Sequence, residues 1–297
     1  MPRIAGRSFT GAPTILKGNI DAEGVKMGNE RIRAFTSTVW FPVKRREKPR
    51  ECGLTWFLDW GAGISYLGEM LDAVGDHLDL AKLPALSAGL QPVDYLKEKI
   101  ALYRKHDIKP FMGGMYLEAA LICRKCEEFL KEALDLGFEV VEVSESESRM
   151  IPSTKISLIE MSARLGFKVM AELGPHYAKA PYEPKEVIRE SNKYLESGAW
   201  KVILESDVIE FMEPWNDPKS AATMKEIIDE IGYENLLFEI SDNLRTCQWF
   251  ILHYGPDVNI ALNKGPVAQL PEGVMTVEHI RRGLLMPDTW YGRFTSL

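Results

Sequence analysis

A chain of 297 residues with 45% hydrophobic content is long enough for one large α/β core or for two smaller domains. Its formal net charge of -7 argues against non-specific attraction to nucleic acid or an anionic membrane, so the expected partner is a small molecule. No charged-then-apolar leader opens the sequence and no apolar run approaches membrane-spanning length, which makes the reducing cytoplasm the expected location.

Residues 1–50 show weak periodicity, scattered Gly and Pro, and a basic run at Lys44, Arg45 and Arg46. They read as a solvated N-terminal arm that crosses the rest of the protein or packs on a neighbouring subunit of a homo-oligomer. From Leu54 the pattern becomes regular. LTWFLDWG reads as a first strand and the run from Ile64 to His77 as its helix. LDLAKLPA is the second strand, and VDYLKEKIALYRKH, preceded by Pro92, the next helix. IKPFMGG is the third strand, followed by one long helix ending near Leu136 and Gly137. That helix holds Cys123 and Cys126, which lack a second metal-ligand pair and read as structural thiols.

FEVVEVS and FKVMAELG are the fourth and fifth strands, with an amphipathic helix ending at Leu165-Gly166 between them. EPKEVIRESNKYLESG, a helix, leads into the sixth strand, WKVILES; a loop from Asp207 to Asp217 and the helix KSAATMKEIIDEIG close that unit. LLFEIS, NLRTCQWFILHYG and VNIALN supply strand, helix and strand, and VEHIRRGLL the last helix. Eight strand-helix units with short connections, and no Gly-rich dinucleotide fingerprint, predict a single (β/α)₈ barrel over 51–297 with an N-terminal extension; a doubly wound open sheet is the alternative.

Chemistry in such a barrel sits at the carboxyl ends of the strands. Those ends carry Asp59, Lys82, Gly113 and Gly114, Glu142 and Ser144, Glu172, Glu205, Glu239, and Asn259 with Asn263. Alternation along each strand puts Glu142 on the side of Val140 and Ser144, Glu172 with Met170, Glu205 with Ile203 and Glu239 with Leu237. Four carboxylates converging in a desolvated mouth repel unless protonated, paired or gathered on a cation. An all-oxygen set without a His or Cys cluster favours Mg²⁺ over zinc, so Glu142, Glu172, Glu205 and Glu239 are the expected metal ligands. The bland alternative is that each pairs with a Lys or Arg of an adjacent loop. Lys82, in an otherwise apolar strand, is expected to clamp a substrate carboxylate or to shuttle a proton, and Glu172 and His176 join it as candidate catalytic groups. Asp59, Gly113, Gly114, Ser144 and Asn259 are the expected substrate-binding residues, the glycines because they let backbone amides approach an oxyanion. Lys264 and Gly265 fall where many barrels hold phosphate, and Trp60 and Tyr116 add aromatic surface at the rim.

From about Phe41 to Leu285 the chain resembles the phosphosulfolactate synthases, through EKPRECGLT, DWGAG, GDHLDLAKL, LKEKIALYRKHDIKPFMGG, LGFEVVEVS, LGFKVMAELG, SGAWKVILES, LLFEIS, GPDVNIAL and VEHIRRGL. That resemblance implies a barrel enzyme joining sulfite to phosphoenolpyruvate with Mg²⁺ as cofactor. It also marks departures. Trp60 stands where the family has Lys, PALSAG replaces Gly-Trp-Gly-Thr-Ser, and Leu173-Gly174-Pro175-His176 replaces Val-Gly-Lys-Lys. SDVIEF stands for Arg-Glu-Ser-Gly and SDNLR for Ala-Pro-Gln-Lys. Each lost charge-assisted bond to a phosphate costs about 1.5–3 kcal/mol. The expectation is therefore a Mg²⁺-dependent lyase that adds or eliminates a small nucleophile on an unsaturated carboxylate through an enolate-like intermediate, with a substrate other than phosphoenolpyruvate plus sulfite. The rivals are a genuine synthase, its cations supplied by Lys179, Arg245 or Lys264, and a non-catalytic barrel scaffold.

Overall fold

The computed structural model describes residues 34–35, 43–146, 148–175, 183–240, 244–263 and 270–284. The chain divides into two compact units, Met1–Trp40 and Phe41–Leu297, and the described strands and helices lie in the second. Eight parallel strands close into a barrel in sequence order. They are β1 (Thr55–Leu58), β2 (Leu80–Leu83), β3 (Lys109–Met112), β4 (Val140–Glu145), β5 (Lys168–Pro175), β6 (Ala199–Leu204), β7 (Leu236–Ile240) and β8 (Asn259–Leu262). β8 pairs back on β1 through Ile260 opposite Thr55, so no sheet edge is left open.

The strands read as apolar runs because both faces are covered. The inner face packs Leu54, Trp56, Leu80, Phe111, Val140, Met170, Ile203, Leu237 and Ala261 into a core of their own. The outer face packs on the helices α1 (Ile64–Val74), α2 (Val93–Lys105), α3 (Met115–Ile122), α4 (Cys126–Leu136), α5 (Pro152–Arg164), α6 (Pro184–Glu196), α7 (Ser206–Met212), α8 (Pro218–Ile231), α9 (Leu244–Tyr254) and α10 (Glu272–Arg281). Proline opens α5, α6 and α8, where its missing N–H is no loss. No helix among the described residues is long and apolar enough to cross a membrane.

Three elements differ from expectation. The long helix after the third strand is two helices, broken where Arg124 takes a left-handed φ of 57° and the Lys125 amide turns back to the Ala120 carbonyl. The expected loop from Asp207 contains α7, because the Glu205 carbonyl accepts the amides of Val208 and Ile209 and starts a helical turn. The last helix begins at Glu272, five residues before the expected Val277, directly after Pro271.

The basic run is not a solvated arm throughout. Arg45 is buried at the amino end of the barrel, where its guanidinium donates to Glu278 at 3.1 Å and to the carbonyls of Pro256 and Gly53 at 3.1 and 2.9 Å. Arg50, also buried, donates to Asp79 at 2.9 Å, and Arg281 reaches the carbonyls of Leu54 and Val258. Arg45 and Arg281 thus bond backbone carbonyls at the amino ends of β1 and β8, and Arg50 the Asp79 carboxylate just before β2.

Candidate active site

The site follows from strand parity. Two residues beyond the inner-core positions Leu80, Val140, Met170, Ile203, Leu237 and Ala261 stand Lys82, Glu142, Glu172, Glu205, Glu239 and Asn263. Side chains two apart share a face, so all six project into the barrel one level above the apolar plug. The four carboxylates are at most 3% exposed. Among the described residues of the ring the ammonium against them is that of Lys82, with its Nζ 2.8 Å from Glu142 Oε2, 3.5 Å from Glu239 Oε1 and 5.0 Å from the centre of the Trp56 ring.

The electrostatics split this ring in two. Burial pulls the Lys82 pKa down, but Glu142, Glu239 and Glu172 outweigh it and hold Lys82 above the ordinary lysine value. Glu142 is anchored on both sides, since its Oε1 accepts the Gly114 amide at 2.9 Å at the start of α3. Burial, then Glu205 and Glu142, push the Glu172 carboxyl well above the usual carboxylate range against the pull of Lys82. Its Oε1 receives no hydrogen bond from any described residue. Glu172, Glu205 and Glu239 each bring an oxygen within 4.8 Å of the others. Around an octahedral Mg²⁺ with ligands at about 2.0–2.1 Å, oxygens on opposite sides stand about 4 Å apart, so the three carboxylates are near the spacing such an ion needs. The Asn263 amide donates to Glu239 Oε2 at 2.6 Å and fixes its orientation. The donor set fits a hard divalent cation: three buried, mutually repelling oxygen ligands, one with an orphaned oxygen.

Other expected positions lie elsewhere. Asp59 does not reach the mouth. It shares the outward face with Phe57, and its Oδ2 accepts Lys99 Nζ and Tyr103 OH, each at 2.8 Å, while Oδ1 accepts the Gly61 and Ala62 amides. Asn259 faces inward at the opposite end of the barrel. It opens β8, accepts the Leu54 amide at 3.0 Å and donates to the Glu234 and Leu236 carbonyls. Glu142 belongs with Lys82 rather than with the three clustered carboxylates. Ser144 is buried and its hydroxyl is spent on Glu118, at 2.6 Å. The Gly113 amide is committed to the Leu83 carbonyl and the Gly114 amide to Glu142, so neither offers a free donor to an oxyanion. Gly114 is needed for close approach instead: a Cβ there would stand 2.6 Å from Ser144 Cβ. Trp60 is 69% exposed, and Tyr116 OH holds the Leu86 carbonyl and the Gly89 amide. His176, Lys179, Lys264 and Gly265 lie outside the described residues.

Two buried side chains behind the ring had no place in the sequence reading. Lys155 of α5 donates to the Glu172 carbonyl at 2.6 Å and to Glu145 Oε2 at 3.2 Å, bracing the end of β5. Glu118 of α3 accepts from the hydroxyls and amides of the segment after Glu142. Each sits on the buried face of its helix among apolar neighbours, the signal that could have marked it.

The family profile described as "(2R)-phospho-3-sulfolactate synthase (ComA)" matches residues 43–286. The chain belongs to this phosphosulfolactate synthase family. Phosphosulfolactate synthase of Methanothermobacter thermautotrophicus is 31% identical over 247 residues, spanning 81% of this chain and 92% of that one. Protein HEAT-STRESS-ASSOCIATED 32 of Arabidopsis thaliana is 22% identical over 253 residues, spanning 76% and 87%. Among solved structures, 3-hexulose-6-phosphate synthase of Salmonella typhimurium aligns with a TM-score of 0.51 at 11% identity, covering 77% of this chain and 97% of that one, which bears on the fold alone. The family match spans all eight strands, so every carboxylate of the ring lies within it.

Proposed function

We infer that this chain is a Mg²⁺-dependent lyase that adds or eliminates a small nucleophile on an unsaturated carboxylate through an enolate-like intermediate. The observation that carries the reading is the meeting of Glu172, Glu205 and Glu239 in the buried mouth of a barrel of this family. These three would hold the cation, which supplies Lewis-acid stabilisation of negative charge on the substrate carboxylate. Lys82, pinned by Glu142, is a fixed positive charge at the edge of the same space; it clamps an anionic substrate group rather than carrying protons. Asn263 keeps Glu239 turned inward, and the apolar plug beneath the ring excludes water from below.

The substrate is a carboxylate less charged than phosphoenolpyruvate. In the described loops that follow β1, β2 and β3, the segments 59–63, 84–92 and 113–114 contain no Lys or Arg, so a phosphate placed there would meet Lys82 without a second cation from these loops, which suits a monoanion better than a dianion. A cytoplasmic location and self-association are further expectations of this reading. The direct assay is phosphoenolpyruvate with sulfite and Mg²⁺, followed by sulfolactate phosphate formation. Little or no turnover is expected, whereas a kcat in the ordinary enzyme range of about 1–10³ s⁻¹ would establish the second reading, a genuine synthase, which the 31% identity over 81% of the chain favours.

A further inference from the structure

α3 touches the end of β4 twice. Its first amide, from Gly114, donates to Glu142, and four residues later Glu118 reaches Ser144. Gly114 and Glu118 lie on one face of the helix, so the two contacts act on residues two apart in the strand. Glu118 is 1% exposed and accepts from Ser144 Oγ at 2.6 Å, the Ser146 amide at 2.7 Å, the Ser148 amide at 2.7 Å and Ser148 Oγ at 3.0 Å. Four donors from five residues of chain converge on one carboxylate, more than a helix-surface glutamate needs for its own solvation. They fix the point at which β4 leaves the barrel wall.

We propose that Glu118 is a positioning residue that holds the end of β4 so that Glu142 draws Lys82 to itself and keeps this ammonium from closing further on Glu239. The competition is visible in the distances, 2.8 Å from Lys82 Nζ to Glu142 and 3.5 Å to Glu239. Loosening β4 moves Glu142 away, and Lys82 then closes on Glu239, where it contests the oxygen that the cation would use. This inference rests on the reading that Glu172, Glu205 and Glu239 hold a divalent cation.

The test is a double-mutant cycle of Glu118→Gln and Lys82→Met read by Mn²⁺ titration, with free Mn²⁺ followed by electron paramagnetic resonance. Glu118→Gln should weaken Mn²⁺ binding about tenfold, the scale on which outer-shell partners act. In the Lys82→Met background the same substitution should change nothing, because the competing ammonium is gone. No loss in the presence of Lys82, or an equal loss in both backgrounds, overturns the proposal, since a merely structural role would not depend on Lys82. Should Glu118→Gln not fold, Ser144→Ala, which deletes one of the four bonds, must show a smaller loss with the same dependence on Lys82. If the wild-type protein binds no Mn²⁺, the metal reading fails by itself. A crystal structure of the Glu118→Gln variant then decides the positioning claim: Lys82 moved onto Glu239 upholds it, and an unchanged Glu142–Lys82 pair refutes it.

Discussion

Asp59→Asn separates a structural carboxylate from a substrate-binding one. Asp59 and Lys99 are each fully buried, 2.8 Å apart, and Asp59 also accepts from Tyr103 and two loop amides. The substitution keeps the shape but leaves the Lys99 ammonium without a counter-charge in a place water does not reach. Breaking a buried pair from one side costs about 3–5 kcal/mol, because the surviving ion keeps its desolvation penalty. At about 2–4 °C per kcal/mol for a domain of this class, Tm should fall by about 6–20 °C. Lys99→Met alone should cost a similar amount. The double variant Asp59→Asn, Lys99→Met should recover most of the loss, since no buried charge remains. Urea unfolding at pH 7 gives the four stabilities, and Mn²⁺ titration of the double variant should match wild type. A single variant within about 1 kcal/mol of wild type that loses ligand binding would put Asp59 in the mouth and refute the parity argument.

Mg²⁺ should stabilise wild type against thermal unfolding by about 2.7 kcal/mol at a hundredfold excess over Kd, and Glu205→Gln and Glu239→Gln should each abolish that stabilisation. In chelator, Glu172→Gln should raise the melting midpoint, by about 0.5–2 kcal/mol of stability, because it removes one of four repelling buried carboxylates. Glu278 is held below the usual carboxylate value: burial opposes this, but Arg45, His77 and Arg282 prevail. Its contribution is therefore present above the unfolded value near 4.5 and lost as pH falls through its folded value, so Glu278→Gln should lower stability at pH 7 and flatten the acid limb of the stability profile. Burial pushes the Cys247 thiol up to about 12, so at pH 8 a thiol reagent should modify exposed Cys123 in the native protein and reach Cys247 only on unfolding.

The barrel and its inward register were legible because both rest on short-range rules. An apolar residue followed two positions later by a carboxylate recurs in VVEVS, VMAEL, VILES and LLFEI, and strand alternation turns that recurrence into a ring. The same rule, applied to β1, would have excluded Asp59. Trp56 and Leu58 hold the inward parity there, so Asp59 is one residue out of phase, and Lys99 and Tyr103, one helical turn apart on the apolar face of α2, are its partners. Of the two asparagines expected at the carboxyl end of the eighth strand, Asn259 precedes the apolar run Ile260–Leu262 and so lies at the amino end, which leaves Asn263 at the mouth. What parity cannot supply is the contact between distant elements. That Glu142 should pair with Lys82, and Ser144 with Glu118, depends on how far α3 leans over β4, a tertiary distance that no local pattern encodes.

The two ends of the barrel bury charge on different terms. At the amino end the acids are matched: Glu278 meets Arg45 and Arg282, Asp79 meets Arg50, and Arg281 is spent on carbonyls. At that end each of these acids has an arginine of the protein's own against it. At the carboxyl end, among the described residues of the ring, four buried glutamates face Lys82, which lies nearer Glu142 than Glu239, and Glu172, Glu205 and Glu239 stand close together. Like charges concentrated in a desolvated space raise the free energy of the empty protein, and a fold that needed only to persist would replace them with apolar side chains of the same volume. Their presence is reasonable if a cation completes the set, and this makes the metal-free stabilisation by Glu172→Gln the sharpest of the measurements: a variant less stable than wild type in chelator would mean the carboxylates are mutually satisfied already, and the case for a cation would lose its physical basis.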